Sequence, residues 1–316
     1  MKIEKLFYKL IIFIKYGIFI PHLKIYFYKN KTADYFSNKT ELEKQKILNK
    51  ITLKFNKKYR KRIAFYKAEI DKMQLEQKKE RIIWFCWLQG IENAPPLVKI
   101  NFKALTQSLG KDYKINLITS ENINNYITLP EFIIKKFEKG IISPAHFSDI
   151  VRNALLIEYG GTWIDSTIYC EKVDDNIKRE LLDCNLFVFQ NLFPFPVVTS
   201  TENWFITSCK NNRNIILLQN LLLEYWKHNN IGVDYLFYYC FLEIIKNEYQ
   251  YDWKKMPIAC NMDALLLQKY LFEEFDFNIY NQIMDSCCFQ KLTHHIDKSI
   301  LNKENTFYKY LLAKSV

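Results

Sequence analysis

From Arg81 onward, short runs of apolar residues alternate with segments in which apolar residues recur at helical spacing. Ile82 to Trp87 is a continuous apolar run closed by Gly90, which is typical of a strand that is buried on both faces in a parallel sheet. Tyr113 to Ile118 and Thr162 to Ile164 predict two further strands. Because helical segments separate these runs, their order predicts an α/β core with a mainly parallel sheet.

The helices of this core have recognisable ends. Start and stop residues predict three helices, which run from Pro95-Pro96 to Gly110, from Pro130 to Lys139, and from a Ser143 cap through Pro144 to Tyr159. Beyond residue 170 the patterns predict a strand over Leu186 to Gln190 and helices over Asn212 to Lys227, Val233 to Lys246 and Asp263 to Phe275.

The first 80 residues differ from this core, and we expect a basic helical N-terminal region followed by a core domain over residues 81–316. Near the start, Lys2, Lys5 and Lys9 fall on one helical face, and apolar residues such as Phe7 and Leu10 lie largely opposite. Residues 31–80 contain neither Gly nor Pro and are rich in Lys, so they should be mostly helical and exposed.

Positive charge is concentrated in the same region. Residues 1–80 carry 21 Lys and Arg against 8 Asp and Glu, a net charge of +13, whereas the whole chain is +11 and residues 81–316 therefore carry −2. Such a segment suits an anionic membrane surface or another polyanion, and it also suits a solvated helical face. No nucleic-acid fold signature accompanies the basic residues, so we expect no nucleic-acid partner.

No segment of the sequence predicts a membrane span or a cleavable signal. Lys15 interrupts the best apolar run and Pro21 closes it, well short of the ~20 residues that a spanning helix needs. The eight cysteines include no C-x-x-C pair and no zinc-type spacing. These features predict a cytoplasmic protein with reduced thiols. The basic first region adds the expectation of peripheral binding at the inner face of the cell membrane.

The candidate chemistry lies between Ser143 and Thr167. Asp149 and Arg152 are three residues apart on a predicted helix, and Asp165 ends the strand that follows the Gly160-Gly161 turn. Together they would form a polar pocket beyond a strand end, where carboxylates can hold sugar hydroxyls or a metal and a guanidinium can hold phosphate. Taken singly, the first two could be an intrahelical ion pair and Asp165 a turn residue. The combined spacing favours a site.

These residues also carry a family resemblance. Ser148-Asp149-Ile150-Val151-Arg152, Leu155-Leu156 and Tyr159-Gly160-Gly161-Thr162-Trp163-Ile164-Asp165 resemble the S-D-x-x-R…L…Y-G-G-x-W-x-D signature of capsular polysaccharide synthesis glycosyltransferases. That family is similar in its core to the glucosylating clostridial toxins and yeast-type mannosyltransferases. Ile83 to Gly90 with Ala94-Pro95 resemble its first strand and turn. Beyond residue 200 the resemblance is looser, in Asn203 to Ile206, Asp234 to Leu236 and Lys291 to Thr293.

The resemblance implies a GT-A-like fold and a bacterial enzyme that uses a nucleotide-diphosphosugar donor, with a UDP-sugar as the first expectation. The enzyme would transfer the sugar to a capsular or other surface polysaccharide or to a lipid-linked precursor. It would retain the configuration at the anomeric carbon. It implies a divalent metal, Mn²⁺ or Mg²⁺. Asp165 would bind the metal as the first acid of a DxD-type motif, and Asp149 and Arg152 would act with it on the donor sugar. The other implied substrate-binding positions are Trp87, on the nucleobase, and Gly160, Gly161 and Thr167.

Thr167 is a departure from that motif, because toxin-like members carry a second acid there. Losing a carboxylate removes one hard oxygen ligand, so a metal could bind through Asp165, the donor diphosphate and a C-terminal group, or not at all. His294-His295 could supply such a group or be a surface pair, and Lys291 could approach a diphosphate or be solvated. The rival hypothesis is a non-catalytic scaffold with a decayed pocket.

Overall fold

A computed structural model describes residues 2–31, 38–73, 78, 80–192, 199–294, 301 and 303–314, with the backbone alone for residues 2–6, 27–31, 38 and 39. The described strands are β1 (Ile82–Cys86), β2 (Lys114–Ile118), β3 (Gly161–Ile164), β4 (Ile168–Cys170), β5 (Leu186–Gln190), β6 (Thr201–Ser208) and β7 (Phe289–Lys291).

The described helices surround these strands. They are α1 (Lys2–Tyr16), α2 (Phe19–Lys31), α3 (Asn38–Lys72), α4 (Pro96–Leu109), α5 (Glu131–Glu138), α6 (Pro144–Tyr159), α7 (Asp175–Ile177), α8 (Arg213–His228), α9 (Phe237–Glu248), α10 (Gln250–Lys254), α11 (Leu266–Tyr270), α12 (Phe277–Ser286) and α13 (Phe307–Lys314). A π-helical turn, Lys178–Leu182, continues α7. None of the helices in these described ranges combines the length and the apolar character needed to cross a bilayer.

The central sheet has the order β2-β1-β3-β6-β5. Strand β1 pairs in parallel with β2 and β3, whereas β6 is antiparallel to both β3 and β5. Four of the five strands therefore point the same way, which confirms the predicted α/β core with a mainly parallel sheet. The reversed strand β6 was not predicted from the sequence, because Thr201–Ser208 begins with polar residues although most of it is buried.

The ends of α6 confirm the prediction made from its capping residues. The Ser143 hydroxyl accepts a hydrogen bond from the His146 amide at 3.3 Å, and Pro144 begins the helix. Gly160 ends it with a φ of 72°, a conformation that favours glycine. Two later predictions were less accurate: α9 begins at Phe237 rather than Val233, and the segment from Asp263 holds a 3₁₀ turn followed by the five-residue helix α11.

The lysine content of helix α3 predicted that it would be mostly exposed, but one of its faces is buried. Apolar residues along one face are buried, namely Ile47, Leu48, Ile51, Phe55, Tyr59, Ile63 and Ile70. The Phe55 ring stacks 4.6 Å from Phe241 of α9 and lies 5.6 Å from Tyr225 of α8. The helical N-terminal region is confirmed, and its α3 face joins the main hydrophobic core of residues 81–316. The domain boundary at residue 80 stays a prediction.

A second, two-stranded sheet brings the C-terminal part of the chain to the end of β3. Strand β7 pairs antiparallel with β4, so that Lys291 lies opposite Ile168. The Leu292 amide extends this pairing by donating to the Thr167 carbonyl at 2.8 Å. Residues that follow β3 and residues that follow β7 are thereby fixed side by side.

Candidate functional site

A cleft of about 860 Å³ opens where β1 and β3 end. Its walls come from six parts of the chain: Cys86 to Gln89, Ser143 to Arg152 along one face of α6, Trp163 to Thr167, Glu202 to Trp204, Tyr235 to Tyr239, and Lys291 to His294. This is the position in which ligands bind to sheets of this kind, beyond the carboxyl ends of parallel strands. The cleft contains Trp87, Asp149, Arg152, Asp165 and Thr167 of the predicted site.

Arg152 is the centre of the polar network in this cleft. Its side chain is only 4% exposed, and its Nη2 lies 3.2 Å from Asp165 Oδ1 and 3.5 Å from Asp149 Oδ1. Nη1 donates to the Asn203 carbonyl, and the guanidinium carbon lies 4.9 Å from the centre of the Trp163 ring. Burial opposes the charge, but the two carboxylates outweigh it and raise the pKa of Arg152. The ion pair with Asp149 is thus part of a buried cluster rather than a surface pair.

Asp149 is the more deeply buried of the two carboxylates. Its Oδ1 accepts a hydrogen bond from Asn203 Nδ2 at 3.1 Å, and Tyr239 donates to the Asn203 side-chain carbonyl at 2.7 Å. Burial raises the pKa of Asp149 to about 7, with Arg152 lowering it and Asp165 raising it. Asn203, Tyr239 and Arg152 together fix the orientation of the Asp149 carboxyl group.

Asp165 faces the open part of the cleft. Its amide donates to the Trp204 carbonyl at 2.8 Å, so the pairing of β3 with β6 continues to this residue. Oδ1 accepts from Trp163 Nε1 at 2.8 Å and faces Arg152, while Oδ2 lies 3.3 Å from Lys291 Nζ. The side chain remains 24% exposed. A residue that only closed a turn would not need these side-chain partners.

Lys291 and Thr167 complete this side of the cleft. The Lys291 ammonium donates to Thr167 Oγ1 as well as facing Asp165. Thr167 is buried, whereas Lys291 is 24% exposed. The role of Lys291 was left open by the sequence analysis, because this residue lies 126 positions from Asp165 and reaches it only through the pairing of β4 with β7.

Trp87 follows β1 directly and also lines the cleft. Its amide donates to the Ile118 carbonyl at 3.0 Å, which continues the pairing of β1 with β2. The half-buried indole meets the His294 ring edge-on, with ring centres 5.5 Å apart. Its buried Nε1 has no hydrogen-bond partner among the residues that the structure describes. His295, the neighbour considered as a metal ligand, lies outside those residues.

Gly160 and Gly161 lie at the other end of β3 and are not among the residues that line the cleft. Gly161 has a φ of 90°, and a Cβ there would lie 2.4 Å from the Ile82 carbonyl oxygen. A Cβ on Gly160 would lie 2.6 Å from the Lys210 amide nitrogen. The two glycines therefore allow the backbone of β3 to pack closely against its neighbours. Their role in binding substrate stays a prediction.

By themselves, the described side chains do not supply a full set of ligands for a divalent metal. They include no group of three or more His, Cys, Asp or Glu that could hold an ion. At the motif, Asp165 offers the only carboxylate, and its free oxygen and the Thr167 hydroxyl both face the Lys291 ammonium. Metals such as Mg²⁺ and Mn²⁺ need several oxygen ligands at short range. An ion held mainly by a donor diphosphate stays a prediction.

Sequence reasoning also missed Glu202, which lines the cleft from β6. Its Oε1 accepts from Asn191 Nδ2 at 3.0 Å and from Asn261 Nδ2 at 3.1 Å. Burial raises its pKa. No local motif indicates this residue, and its partner Asn261 lies 59 positions away along the chain.

Three relatives share segments with this chain. The O-glycosyltransferase braB of Annulohypoxylon truncatum is 30% identical over 95 residues, which cover 28% of this chain and 23% of the relative. The probable glycosyltransferase FCK3 of Fusarium pseudograminearum is 27% identical over 155 residues, covering 46% of this chain and 39% of the relative. The O-glycosyltransferase PaGT of Phomopsis amygdali is 30% identical over 94 residues, covering 27% and 23%. The chain thus spans well under half the length of these relatives.

A solved structure and a family model cover more of the chain. The structure of PaToxG Glycosyltransferase aligns with 85% of this chain and 97% of its own, at 16% identity and a TM-score of 0.38. The model of a family described as capsular polysaccharide synthesis protein matches residues 28–311. The family match over most of the chain confirms the resemblance seen in the sequence, and the chain belongs to the capsular polysaccharide synthesis protein family.

Proposed function

We propose that the protein is a glycosyltransferase that moves a sugar from a nucleotide-diphosphosugar, with a UDP-sugar as the first candidate, to a surface polysaccharide or a lipid-linked precursor. The observation that carries the proposal is the Asp149–Arg152–Asp165 cluster, which lines a cleft beyond the strand ends. The family match and the three relatives, each named as a glycosyltransferase, support the same reaction class.

The cleft offers a place for each part of such a donor. The half-buried Trp87 indole lines the cleft with a flat apolar ring, which suits a stacked nucleobase. The carboxylates of Asp149 and Asp165 can accept hydrogen bonds from sugar hydroxyls, because Arg152 holds both in fixed positions. When ionised, these carboxylates also stabilise the positive charge that develops on the sugar ring in an oxocarbenium-like transition state. We propose that the transfer proceeds with retention.

The exposed apolar side chains of the N-terminal helices indicate where the protein would bind its acceptor. Large apolar side chains of α1 and α2 point into solvent: Phe7 is 65% exposed, Ile14 63%, Ile20 64% and Tyr26 62%. Lys9 of α1 is also exposed, while the side chains of Lys2 and Lys5 lie outside the described residues. We therefore propose peripheral binding to an anionic membrane surface, where a lipid-linked acceptor would be found.

The test of the function is a screen of nucleotide sugars with purified protein, in which slow release of the nucleoside diphosphate reports hydrolysis. Parallel samples with EDTA and with Mn²⁺ separate the reaction from its metal requirement. We expect one donor to be hydrolysed well above the others. Tight binding of a nucleotide sugar without release under either condition would instead support the non-catalytic scaffold, for which the loss of an acid at Thr167 is the main argument.

A further inference from the structure

We propose that the Lys291 ammonium takes the position of the divalent cation in DxD-type sites and binds the donor diphosphate without a metal. This inference rests on the proposed function, since it assumes a nucleoside diphosphate ligand. The ammonium donates to Thr167 Oγ1 and lies 3.3 Å from Asp165 Oδ2. These side chains are the first and third positions of the motif, from which oxygens would otherwise face an ion.

The backbone fixes Lys291 in this position. The register of β7 against β4 places it opposite Ile168, and the next residue, Leu292, donates its amide to the Thr167 carbonyl at 2.8 Å. Leu292 is itself buried in an apolar cluster with Tyr169 and Tyr280. The lysine therefore approaches the motif from an ordered strand end rather than from a surface loop.

Of the two cationic side chains described in the cleft, Lys291 is the one that a diphosphate can reach. Among the described residues that line the cleft, Arg152 and Lys291 carry permanent positive charge. Arg152 is only 4% exposed and already faces Asp149, Asp165 and the Asn203 carbonyl. Lys291 is 24% exposed and can contact phosphate oxygens as a point charge.

The residue at position 167 agrees with this assignment. An acid there would place two negative charges around the ammonium, and a divalent ion would balance them better. With Thr167, a single positive charge matches the single carboxylate of Asp165. The carboxylate of Asp165 and the hydroxyl of Thr167 thus suit one ammonium group.

During transfer, the bond between the sugar anomeric carbon and the β-phosphate oxygen breaks, and its electron pair stays on that oxygen. The acceptor oxygen forms the new bond to the anomeric carbon, and its proton leaves with the diphosphate. Negative charge therefore grows on the leaving oxygen, where a fixed cation stabilises the transition state. Lys291 supplies that cation.

The test measures UDP binding by calorimetry in EDTA and in Mn²⁺, together with the electron paramagnetic resonance signal of free Mn²⁺. The variants are Lys291→Met, Lys291→Arg and, as a matched control, Lys139→Met at an exposed position outside the cleft. We expect the unaltered protein and Lys139→Met to bind UDP equally with EDTA and with Mn²⁺, and to leave the Mn²⁺ signal at the level of a protein-free mixture of UDP and Mn²⁺. Lys291→Met should weaken UDP binding by a factor of about 10 to 100, and Lys291→Arg should retain most of it.

Two results would overturn the inference: UDP binding that requires Mn²⁺ and consumes the free-ion signal, or UDP binding by Lys291→Met at the affinity of the unaltered protein. Failure of the proposed function looks different. In that case UDP would bind through Lys291 but no nucleotide sugar would be hydrolysed or transferred, and the assignment of the ammonium would stand.

Discussion

Replacing Arg152 by Met should destabilise the fold strongly and in a pH-dependent way. The change keeps an apolar stem of similar length but leaves the buried Asp149 carboxylate, the Asp165 carboxylate and the Asn203 carbonyl without the guanidinium. Removing one partner of a buried charge cluster costs about 3–5 kcal/mol of unfolding free energy. This expectation differs from what a surface ion pair would give, which is about 1 kcal/mol or less.

The pH dependence distinguishes lost charge pairing from lost packing. Without Arg152, Asp149 should take up a proton more readily, because the group that lowers its pKa is gone. The loss of stability should therefore be smaller at pH 5.5 than at pH 8. Urea unfolding followed by tryptophan fluorescence at the two pH values measures this difference.

Arg213→Met is the matched control. Arg213 also makes a two-point contact with a carboxylate, at 2.7 and 2.8 Å from Asp252, but its side chain is 37% exposed. We expect it to lose no more than about 1 kcal/mol at either pH. The reasoning is refuted if Arg152→Met loses no more than this control at pH 8, or if its loss is the same at both pH values.

Three further predictions address other parts of the molecule. The pKa of Asp149 is raised to about 7 in the folded state, above its unfolded value of about 4, so the folded state binds an extra proton and stability falls as pH rises between these values. Between pH 5 and 8, urea titrations should show the unaltered protein losing roughly 2–3 kcal/mol more unfolding free energy than Asp149→Asn. Equal losses would contradict the burial argument. Gly161→Ala should lose at least about 1–3 kcal/mol from the positive φ alone, with the contact to a carbonyl oxygen adding to it, and a melting temperature equal to that of the unaltered protein would exclude this strain. Replacing Ile14 and Ile20 by Asp should reduce sedimentation with anionic vesicles, whereas replacing Tyr251, an equally exposed residue of α10, by Asp should not; unchanged binding of the double variant would exclude the α1–α2 surface as the contact.

The sequence predicted the parts of the site that local signals define. Ser143, Pro144 and the two glycines mark the ends of α6 and the start of β3, so the relative placement of Asp149, Arg152 and Asp165 followed from their spacing. The sequence also predicted that the first 80 residues are mostly helical. It did not predict the buried apolar face of α3, because lysines are frequent along the whole helix.

Other features depend on pairings between distant segments. Strand β7 is only three residues long and belongs to a small sheet, so nothing local indicates that Lys291 would reach Asp165. Asn203 and Glu202 enter the cleft because β6 lies antiparallel beside β3, an arrangement that a polar strand start does not suggest. Tertiary pairing, not propensity, decides such cases.

The central claim is that Asp165 faces the donor, and the most direct measurement is donor turnover by Asp165→Asn beside Asp175→Asn, with circular dichroism to confirm that both are folded. Asp175 lies on α7 with its side chain 90% exposed, so its replacement controls for the loss of one carboxylate. We predict that Asp165→Asn lowers turnover by about 100-fold or more while the fold survives, and that Asp175→Asn retains normal turnover. Near-normal turnover by a folded Asp165→Asn would contradict the account.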